Sequence, residues 1–531
     1  MEALTAIVGS FSTLFFIGTA TLLLVWWYAT RNHNYWKKRN IPFVKPLPFL
    51  GSLMDLFKKP LHIVEIERYN TYGKIYGHFE ANRPILAVSD PAILRNILVK
   101  DFHLFTSRRS LESGNPIFDN MVVTLQGEAW KRVRTIITPT FTTGKIKRMM
   151  GIFTKCAQTC VKNYTKFAES GEPAELKNLY GAFTMDVIAS TAFSTKLDSH
   201  NDPSNKFVAA AKQVFTKNIS WRAVLLFLAP SLLKIFRISL FPPNVLQFFK
   251  DITLEIIEER KRTGQVRNDF LQLLMDTAEE VEDQKNQKIT EHEDLTSNYG
   301  KDFSGAQIFK NVSNKRLSPD ELVAQCVIFF LAGYDTTAST LAFASYLLAL
   351  NPDVQEKLIA EIDKALSAPK EELTYETLQN MKYLDNVISE TLRLYPAAPR
   401  LERVADEEYK IENEGITIPK GMLISIPICG IQRDPEYFPD PEKFDPDRFT
   451  PEERASRDQY VYMPFGMGPR NCIGMRFALI EIKVCLVLML SNFRFKRSSA
   501  TKVPLEFYTG QNMQPKEMMV GLEQRTDGFK A

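Results

Sequence analysis

The sequence has few cysteines, and none of them forms a CxxC pair. Six cysteines in 531 residues are too few for a secreted fold held together by disulfides, so we expect a reducing compartment. Cys156 and Cys160 lie four residues apart and could ligate a metal ion, but no matching His or Cys pair follows them. We interpret these two residues as packing residues.

The chain also lacks linkers, internal repeats and a strong net charge. Between Leu50 and Glu523 no Gly/Ser-rich or Pro-rich stretch divides the sequence, so we expect one large domain over residues 52–525. The formal net charge is only +4, and no basic run carries interleaved aromatic residues. Binding to nucleic acid is therefore not expected.

Charge is absent from the amino-terminal segment. Residues 3–30 form a run of 28 uncharged residues, long enough to cross a bilayer once as a helical signal anchor. A cleaved signal peptide has a basic start, whereas here the basic residues follow the apolar run, at Arg31, Lys37, Lys38 and Arg39. This arrangement predicts a cytosolic location for the rest of the chain. Residues 31–51 are basic and then Pro-rich, and we expect them to form a stiff tether.

Hydrophobic patterning predicts a mainly α fold with small β-sheets. Long helical patterns dominate up to about Tyr395. Short strand patterns cover residues 75–79, 84–88, 409–411, 416–418 and 422–428. Residues 277–315 are polar with mixed charge and are predicted to form a loop.

A second apolar region, residues 221–249, is interrupted by Pro230, Pro242 and Pro243 and by three basic residues. These interruptions exclude a clean second membrane span. The region could form a pair of buried core helices, or a surface that dips into the membrane beside the anchor with its basic residues at the lipid headgroups. We favour the membrane-contacting surface.

A long helix is predicted from Ser318 to Asn351. Ser318 and Glu321 have the spacing of a capping box, and Pro319 occupies the first helical position. Asp335 is the only charged residue between Leu322 and the helix end. A membrane span is the alternative, but a charge at its centre costs about 3 kcal/mol. We therefore expect a helix that runs through the core of the domain.

The centre of this helix reads Ala332-Gly333-Tyr334-Asp335-Thr336. Ala332 and Gly333 remove side-chain bulk, so a flat ligand could approach the backbone. Thr336 lies one turn after Ala332 on the same face, and Asp335 could supply protons through water. A core aspartate with satisfied hydrogen bonds explains the same residues, and both interpretations remain open at this point.

Cys472 lies between Gly468 and Gly474, after Arg470, just before an apolar helix. Backbone N–H groups at a helix amino end are expected to lower the pKa of this thiol. A structural cysteine, a nucleophile and a zinc ligand are three alternatives. The six histidines all lie far upstream, which leaves the nucleophile without an obvious base, and zinc lacks companion ligands.

The pattern Phe465-x-x-Gly468-x-Arg470-x-Cys472-x-Gly474 resembles the haem-binding signature of the cytochrome P-450 superfamily. Three further motifs follow the order of that family: Ala332-Gly333-x-Asp335-Thr336-Thr337, Glu390-x-x-Arg393 and Pro446-Asp447-Arg448-Phe449. The resemblance covers essentially the whole chain. Segments such as residues 127–134, 139–142 and 390–403 are most similar to the family-three drug-metabolising enzymes and their arthropod relatives.

The resemblance implies a haem b cofactor with the Cys472 thiolate as its axial ligand. Phe465 would pack near the sulfur, and the small residues Ala332, Gly333 and Gly474 would leave room for the haem. The positions that match the propionate-binding residues of the family are Arg108, Trp130, Arg134, Arg403 and Arg470. Solvated surface charges are the alternative for the arginines.

Other motif residues have implied roles beside the haem. Asp335 and Thr336 would deliver protons during dioxygen activation. Glu390, Arg393 and Arg448 would form a buried structural network that supports the haem site.

The resemblance implies a monooxygenase anchored in the endoplasmic reticulum membrane by a single span, with a cytosolic catalytic domain. It would insert one atom of dioxygen into lipophilic substrates (xenobiotics, steroids or lipids) that enter from the membrane side. No flavin or dinucleotide fingerprint is present, so electrons from NADPH are expected through NADPH-cytochrome P-450 reductase, with cytochrome b5 as a second donor. The basic segments 128–134 and 145–148 would dock the reductase, unless they are simply a solvated face.

Two other function classes remain possible from the sequence. A haem-thiolate isomerase or dehydratase rearranges peroxides without a reductase, but such enzymes usually depart from the acid–alcohol pattern that this chain keeps. In a haem-based carrier or sensor, Asp335 and Thr336 would be idle. Reductase-dependent turnover separates a monooxygenase from both.

Overall fold

The helical patterns of the sequence form twenty α-helices in the computed structural model, counted over the residues whose placement it describes. Those residues are 2–202, 205–214, 220–267, 269–279, 316–367, 373–509 and 513–527, with the side chains of 2–12 and 277–279 left aside. The helices, in chain order, are α1 (Glu2–Thr30), α2 (Met54–Lys58), α3 (Leu61–Tyr72), α4 (Pro91–Arg95), α5 (Pro116–Asp119), α6 (Gly127–Ile137), α7 (Thr143–Ser170), α8 (Leu176–Phe193), α9 (Lys206–Val214), α10 (Trp221–Leu228), α11 (Pro230–Ile235), α12 (Pro243–Thr263), α13 (Phe270–Glu279), α14 (Pro319–Leu350), α15 (Pro352–Ala365), α16 (Tyr375–Asn380), α17 (Lys382–Leu394), α18 (Ile428–Ile431), α19 (Pro451–Ser456) and α20 (Met475–Asn492).

The strands of the described residues are short and form three small sheets. They are β1 (Ile75–Glu80), β2 (Arg83–Val88), β3 (Ala174–Glu175), β4 (Leu401–Val404), β5 (Tyr409–Ile411), β6 (Ile416–Ile418), β7 (Leu423–Ile426), β8 (Phe493–Lys496) and β9 (Met519–Gln524). The sheet orders are β1-β2-β7-β4, β3-β9-β8 and β5-β6. In the four-stranded sheet, β1 pairs with β2 and β4 with β7 in antiparallel register, while β2 and β7 run parallel with Ile85 opposite Leu423.

The predicted class, mainly α with small β-sheets, is confirmed, and each predicted strand has its counterpart. The last predicted strand, 422–428, ends two residues earlier because Pro427 has no N–H to donate to the ladder. Four strands were missed. One of them, β4, contains Glu402 and Arg403, so its sequence does not show the apolar alternation of a half-buried strand.

Helix α14 passes through the core. Its capping box is formed as expected, because the Ser318 N–H donates to Glu321 Oε2 at 2.8 Å and the Glu321 N–H donates to Ser318 Oγ at 3.2 Å. Two helices of the described chain are long and apolar enough to cross a membrane, α14 and the end of α1. In an 18-residue apolar window of α14, 67% of the residues are buried, compared with only 6% in the window Thr13–Thr30. This burial agrees with a core helix for α14.

The segment after α1, predicted as a tether, packs on the first sheet. The Trp36 side chain is 1% exposed, and its indole lies against Gly77 of β1, where an added Cβ would stand 2.3 Å from the ring. Two further hydrogen bonds of 3.0 Å join the end of the anchor to the β1–β2 turn, from Asn82 Nδ2 to the Tyr28 carbonyl and from Asn32 Nδ2 to the Asn82 carbonyl. Packing therefore adds to the stiffness that the prolines of this segment provide.

The apolar region 221–249 forms α10, α11 and the start of α12. Its inner side chains, such as Phe227 and Leu233, are buried, whereas Ile235 and Phe236 are 69% and 67% exposed. This exposure favours the surface interpretation over a pair of buried core helices. Of the predicted loop 277–315, the first residues end α13, and residues 280–315 lie outside the described residues.

Glu390 and Arg393 form a fully buried ion pair on α17. The Arg393 Nε and Nη2 atoms donate to the two carboxylate oxygens of Glu390 at 2.6 and 2.8 Å. Arg448 Nε lies 3.5 Å from Glu390 Oε1, and the Asp445 N–H donates to the same oxygen at 2.9 Å. Burial raises the pKa of Glu390, and Arg393 opposes that rise. The structure thus brings together the three residues of the predicted network.

We expect Glu390→Ala to lower the free energy of unfolding by about 3–5 kcal/mol, because it leaves the Arg393 guanidinium buried without its partner. Glu67→Ala is the matched control, since Glu67 pairs with Lys59 at 2.6 Å on the surface and its loss should cost about 0–1 kcal/mol. Urea unfolding of the detergent-solubilised chain, followed by tryptophan fluorescence, measures both. Equal losses in the two variants would contradict a special role for the buried pair.

Candidate active site

Cys472 lies in a tight loop that leads into α20. Its N–H donates to the Phe465 carbonyl at 2.8 Å, and the Asn471 N–H donates to the Gly468 carbonyl at 3.1 Å. These hydrogen bonds fold residues 464–474 back on themselves and place the Cys472 thiol on the wall of an internal cavity of about 460 Å³. Phe465 and Gly474 line the same cavity.

Gly468 is required by the shape of this loop. Its φ of +76° lies in the left-handed region, and an added Cβ would stand 1.9 Å from the Leu98 carbonyl oxygen. The backbone of the loop therefore touches the backbone of residue 98 directly. This contact fixes the position of the Cys472 loop relative to residue 98.

The environment of the Cys472 thiol differs from the one expected at a helix amino end. Burial raises the pKa of Cys472, and the opposing effects of the Gly474 N–H, Arg134 and Arg108 are smaller. The expected lowering is therefore wrong for the folded chain, because desolvation outweighs the helix end. A thiolate at this position needs a further positive charge at sulfur, which a bound metal ion provides.

Another part of the cavity wall is formed by α14. Ala332, Gly333 and Thr336 line the cavity, and the Thr336 hydroxyl donates to the Ala332 carbonyl at 2.8 Å. A Cβ added at Gly333 would stand 2.6 Å from Cδ1 of Ile188, so this glycine also allows α8 to pack closely on α14. Small residues thus keep the cavity open along this helix.

Asp335 is not on the cavity wall. The next two residues of the helix, Thr336 and Thr337, line the cavity, whereas Asp335 does not. Its carboxylate pairs with Lys177 Nζ at 3.1 Å and accepts a hydrogen bond from Gln514 Nε2 at 2.8 Å. The structure therefore shows an aspartate satisfied outside the cavity. Lys177 and Gln514 were missed by the sequence analysis, because nothing local marks a partner 158 or 179 residues away.

Three arginines, Arg108, Arg134 and Arg470, line the cavity, and the charge of a fourth, the buried Arg403, acts on Arg470. Their polar contacts are few: Arg470 donates to the Thr106 and Leu125 carbonyls, Arg108 Nη2 to the Arg470 carbonyl at 2.8 Å, Arg134 Nη2 to Asn471 Oδ1 at 3.0 Å, and Arg403 Nη1 to the Glu402 carbonyl at 2.8 Å. The Nε atoms of Arg403 and Arg470 have no hydrogen-bond partner among the residues that the structure describes. The Arg470 guanidinium lies 4.8 Å from the centre of the Trp130 ring.

This cluster carries positive charge that the protein compensates poorly. Burial lowers the pKa of Arg470 to about 8, and repulsion from Arg108, Arg403 and Arg134 adds to that effect. Burial likewise lowers the pKa of Arg403 to about 9 and that of Arg134 to about 10. An anionic ligand with more than one carboxylate fits this cluster, because it would restore the favoured charge of all four groups. A haem, with two propionates and an iron at the thiol, has this chemistry.

The cavity wall also contains residues that the sequence analysis did not single out. Val122 and Val123, from the segment between α5 and α6, line the cavity together with Phe329 of α14. They carry no motif, and their apolar side chains resemble those of any core segment. Only the long-range packing of the segment against α14 reveals them.

Comparison with known proteins decides the family. A family model described as Cytochrome P450 matches residues 41–522. The chain belongs to the cytochrome P450 family. Similar curated proteins are Cytochrome P450 3A9 of Rattus norvegicus, 39% identical over 507 residues, and Cytochrome P450 3A13 of Mus musculus, 40% identical over 508 residues. Each comparison covers 94% of both chains. Cytochrome P450 3A7 of Homo sapiens is 40% identical over 501 residues, which is 92% of each chain.

The P450 resemblance predicted from the four motifs is thereby confirmed, as is its family-three character. The chain is an oxidoreductase, a P450 monooxygenase related to the 3A drug-metabolising enzymes. Membership of the P450 family implies a haem-thiolate cofactor. The individual roles of the site residues remain predictions.

For this P450 we expect Gly468→Ala to lower both stability and haem content, because a Cβ there meets a backbone oxygen in addition to an unfavourable φ. The matched control is Gly415→Ala, which has a φ of +62° but no atom within 4 Å of the added Cβ. The control should cost about 1–2 kcal/mol from backbone strain alone. Thermal unfolding and the haem-to-protein ratio measure the difference. Equal effects would mean that the loop moves away from residue 98 at little cost.

Proposed function

We propose that this chain is a membrane-anchored haem-thiolate monooxygenase that inserts one oxygen atom into lipophilic substrates, with electrons from NADPH delivered by a flavoprotein reductase. The observation that carries the proposal is the Cys472 thiol, which lies on the wall of a mostly apolar cavity that Arg108, Arg134 and Arg470 also line. A thiol alone would fit several reactions. The combination with an anion-binding cluster and an open apolar space fits a haem and a substrate side by side.

Haem b would be held from two directions. Cys472 would supply the axial thiolate, with Phe465 and Gly474 packed beside it, and Ala332 and Gly333 would leave space on the opposite side. The propionates would bind at Arg108, Arg134, Arg403, Arg470 and Trp130, where two guanidinium Nε atoms lack partners in the described part of the chain. When bound, the haem would activate dioxygen with the electrons that it receives. No amino-acid side chain provides this chemistry.

The substrate would occupy the apolar part of the cavity. Five residues with apolar side chains line it, namely Val122, Val123, Phe270, Ile328 and Phe329. Such a lining excludes water and favours lipophilic molecules without selecting one functional group. Orientation of the substrate would therefore depend mainly on the shape of these walls.

Thr336, one of the threonines that line the cavity, would handle protons in this space. Its Oγ1 now donates to the Ala332 carbonyl at 2.8 Å and can accept a hydrogen bond from a water in the cavity at the same time. Asp335 would act from outside, since its carboxylate contacts Lys177 and Gln514 rather than the cavity. Proton delivery by Asp335 would require its carboxylate to leave Lys177 or to act through water on the outer face of α14.

The basic segments 128–134 and 145–148 would receive the reductase, with cytochrome b5 as a second donor. Arg132 pairs with Glu321, and Lys147 pairs with Glu376, which reduces the positive charge available on this face. Arg148 is exposed. Docking by charge therefore depends on fewer residues than the sequence suggests.

The proposed location is the endoplasmic reticulum membrane, crossed once by α1, with the catalytic domain in the cytosol. The exposed apolar side chains of α1 support an anchor, and Ile235 and Phe236 give the domain a second apolar surface. Substrates dissolved in lipid would reach the cavity from this side.

Lipid contact of the second surface predicts a fluorescence difference. We expect Ile235→Cys, labelled with a polarity-sensitive dye in the full chain, to show a blue-shifted emission in phosphatidylcholine vesicles that doxyl lipids quench. Val266→Cys is the control, because Val266 is 79% exposed but follows α12 at its far end. Labelling of the parent chain gives the background from the native cysteines. The same emission from both positions would contradict a membrane-facing surface.

The proposed function itself is tested by the reduced carbon monoxide difference spectrum. We expect the long-wavelength Soret band of a thiolate-ligated ferrous haem in the purified chain, and its loss in Cys472→His. Cys429→Ala, a buried cysteine outside the cavity, should keep the band. Survival of the band in Cys472→His would refute the axial assignment. Oxidation of a lipophile that needs NADPH and reductase then separates a monooxygenase from a haem isomerase or carrier.

A further inference from the structure

The segment between α5 and α6 forms one wall of the cavity without belonging to any helix or strand. Val122 and Val123 line the cavity from this segment. Hydrogen bonds within the segment form a turn: the N–H groups of Thr124 and Leu125 both donate to the Met121 carbonyl, at 2.9 and 3.0 Å. These bonds shape the turn but do not place it relative to α14.

The link to α14 comes from the side chain of Gln325. Its Oε1 accepts a hydrogen bond from the Val122 N–H at 2.9 Å, and its Nε2 donates to the Asn120 carbonyl at 2.8 Å. The same Nε2 donates to the Glu321 carbonyl, one helical turn earlier, at 2.9 Å. Gln325 is fully buried, so water does not compete for these bonds. One primary amide thus fastens the wall to the core helix.

The far end of the segment is fastened separately. Arg470 donates to the Leu125 carbonyl, and the Gln126 side chain accepts from the Arg108 N–H at 2.8 Å. The two wall residues lie between this end and the Gln325 end. A change at Gln325 should therefore move the wall while leaving the arginine cluster in place.

We propose that Gln325 is a positioning residue that sets the distance between the Val122–Val123 wall and α14, and through it the orientation of the substrate. The proposal rests on the proposed function, because orientation matters only if a lipophile is oxidised in this cavity. It assigns to Gln325 a role in selectivity without any contact to the substrate. An amide is needed because its oxygen accepts from the Val122 N–H while its nitrogen donates to the Asn120 carbonyl, two residues earlier in the segment.

Two variants test this role. Gln325→Leu removes the two bonds to the wall and the bond to the Glu321 carbonyl, and it leaves the Val122 N–H and the Asn120 carbonyl without this partner. Gln325→Met removes the same bonds with an unbranched side chain of nearly the same size, so it disturbs the packing less. If the leucine variant fails to fold, the methionine variant still reports on the link.

Gln355 provides a matched control. It is a buried glutamine on α15 whose amide accepts from the Phe495 N–H at 2.7 Å and donates to the Phe495 carbonyl at 2.9 Å. Gln355→Leu removes the same pair of backbone hydrogen bonds at a site that does not line the cavity. Its loss of stability should match that of Gln325→Leu, so any further effect of Gln325→Leu arises from the wall.

The first readout is hydrogen exchange of the peptide that covers residues 120–125, which needs no turnover. We expect exchange of the Val122 amide to be about fivefold faster in Gln325→Leu, as loss of one typical hydrogen bond implies, and unchanged in Gln355→Leu. Unchanged exchange in Gln325→Leu would overturn the proposal.

The second readout is the ratio of regioisomers formed from progesterone, a rigid steroid probe. We expect this regioisomer ratio to change by about threefold or more in Gln325→Leu and to stay the same in Gln355→Leu. A threefold change corresponds to a small change in the difference between the activation barriers for oxidation at the two positions. Faster exchange with an unchanged ratio would also overturn the proposal, since the wall would then not orient the probe. If the wild-type chain oxidises no probe, the proposed function fails.

The wall can still be tested in that case by binding alone. The ratio of the progesterone and phenanthrene dissociation constants, measured by equilibrium dialysis, should then change in Gln325→Leu and stay the same in Gln355→Leu.

Discussion

Desolvation of charge around one cavity is the constraint on which the rest of this site depends. The fold places the Cys472 thiol on the cavity wall and gathers Arg108, Arg134, Arg403 and Arg470 near it, with few polar partners of its own. Desolvation disfavours the charged forms of these groups, and the arginines repel one another. A metal complex with two carboxylates would relieve both costs, and this is the chemistry of the haem-thiolate cofactor that the family implies.

The scaffold that tolerates this cost is built from long-range contacts between rigid parts. Helix α14 presents small residues to the cavity, and the loop before α20 is pressed against the backbone of residue 98. The buried pair of Glu390 and Arg393 joins α17 to the segment that precedes the cysteine loop. The reactive groups thus depend on neighbours that are distant in sequence, and small errors in packing would reach the site directly.

Local patterns were sufficient to predict the elements that carry the site. The capping box of Ser318, the glycines around Cys472 and the apolar periodicity of α20 all act within a few residues, so the sequence displays them openly. The orientation of Asp335 toward Lys177 and Gln514, the raised pKa of Cys472 and the wall of Val122 and Val123 depend on tertiary packing. No local pattern encodes those contacts, and the family motifs describe residue types rather than the direction of each side chain.

The packing of Trp36 on β1 has a practical consequence for a truncation that removes the apolar helix α1. A truncation made at the first prolines, near Pro42, would delete an indole that fills the space above Gly77 and would leave that part of the sheet uncovered. It would also remove the Asn32 amide that bonds the β1–β2 turn. A truncated form should therefore begin before Asn32, so that only the exposed apolar helix α1 is lost.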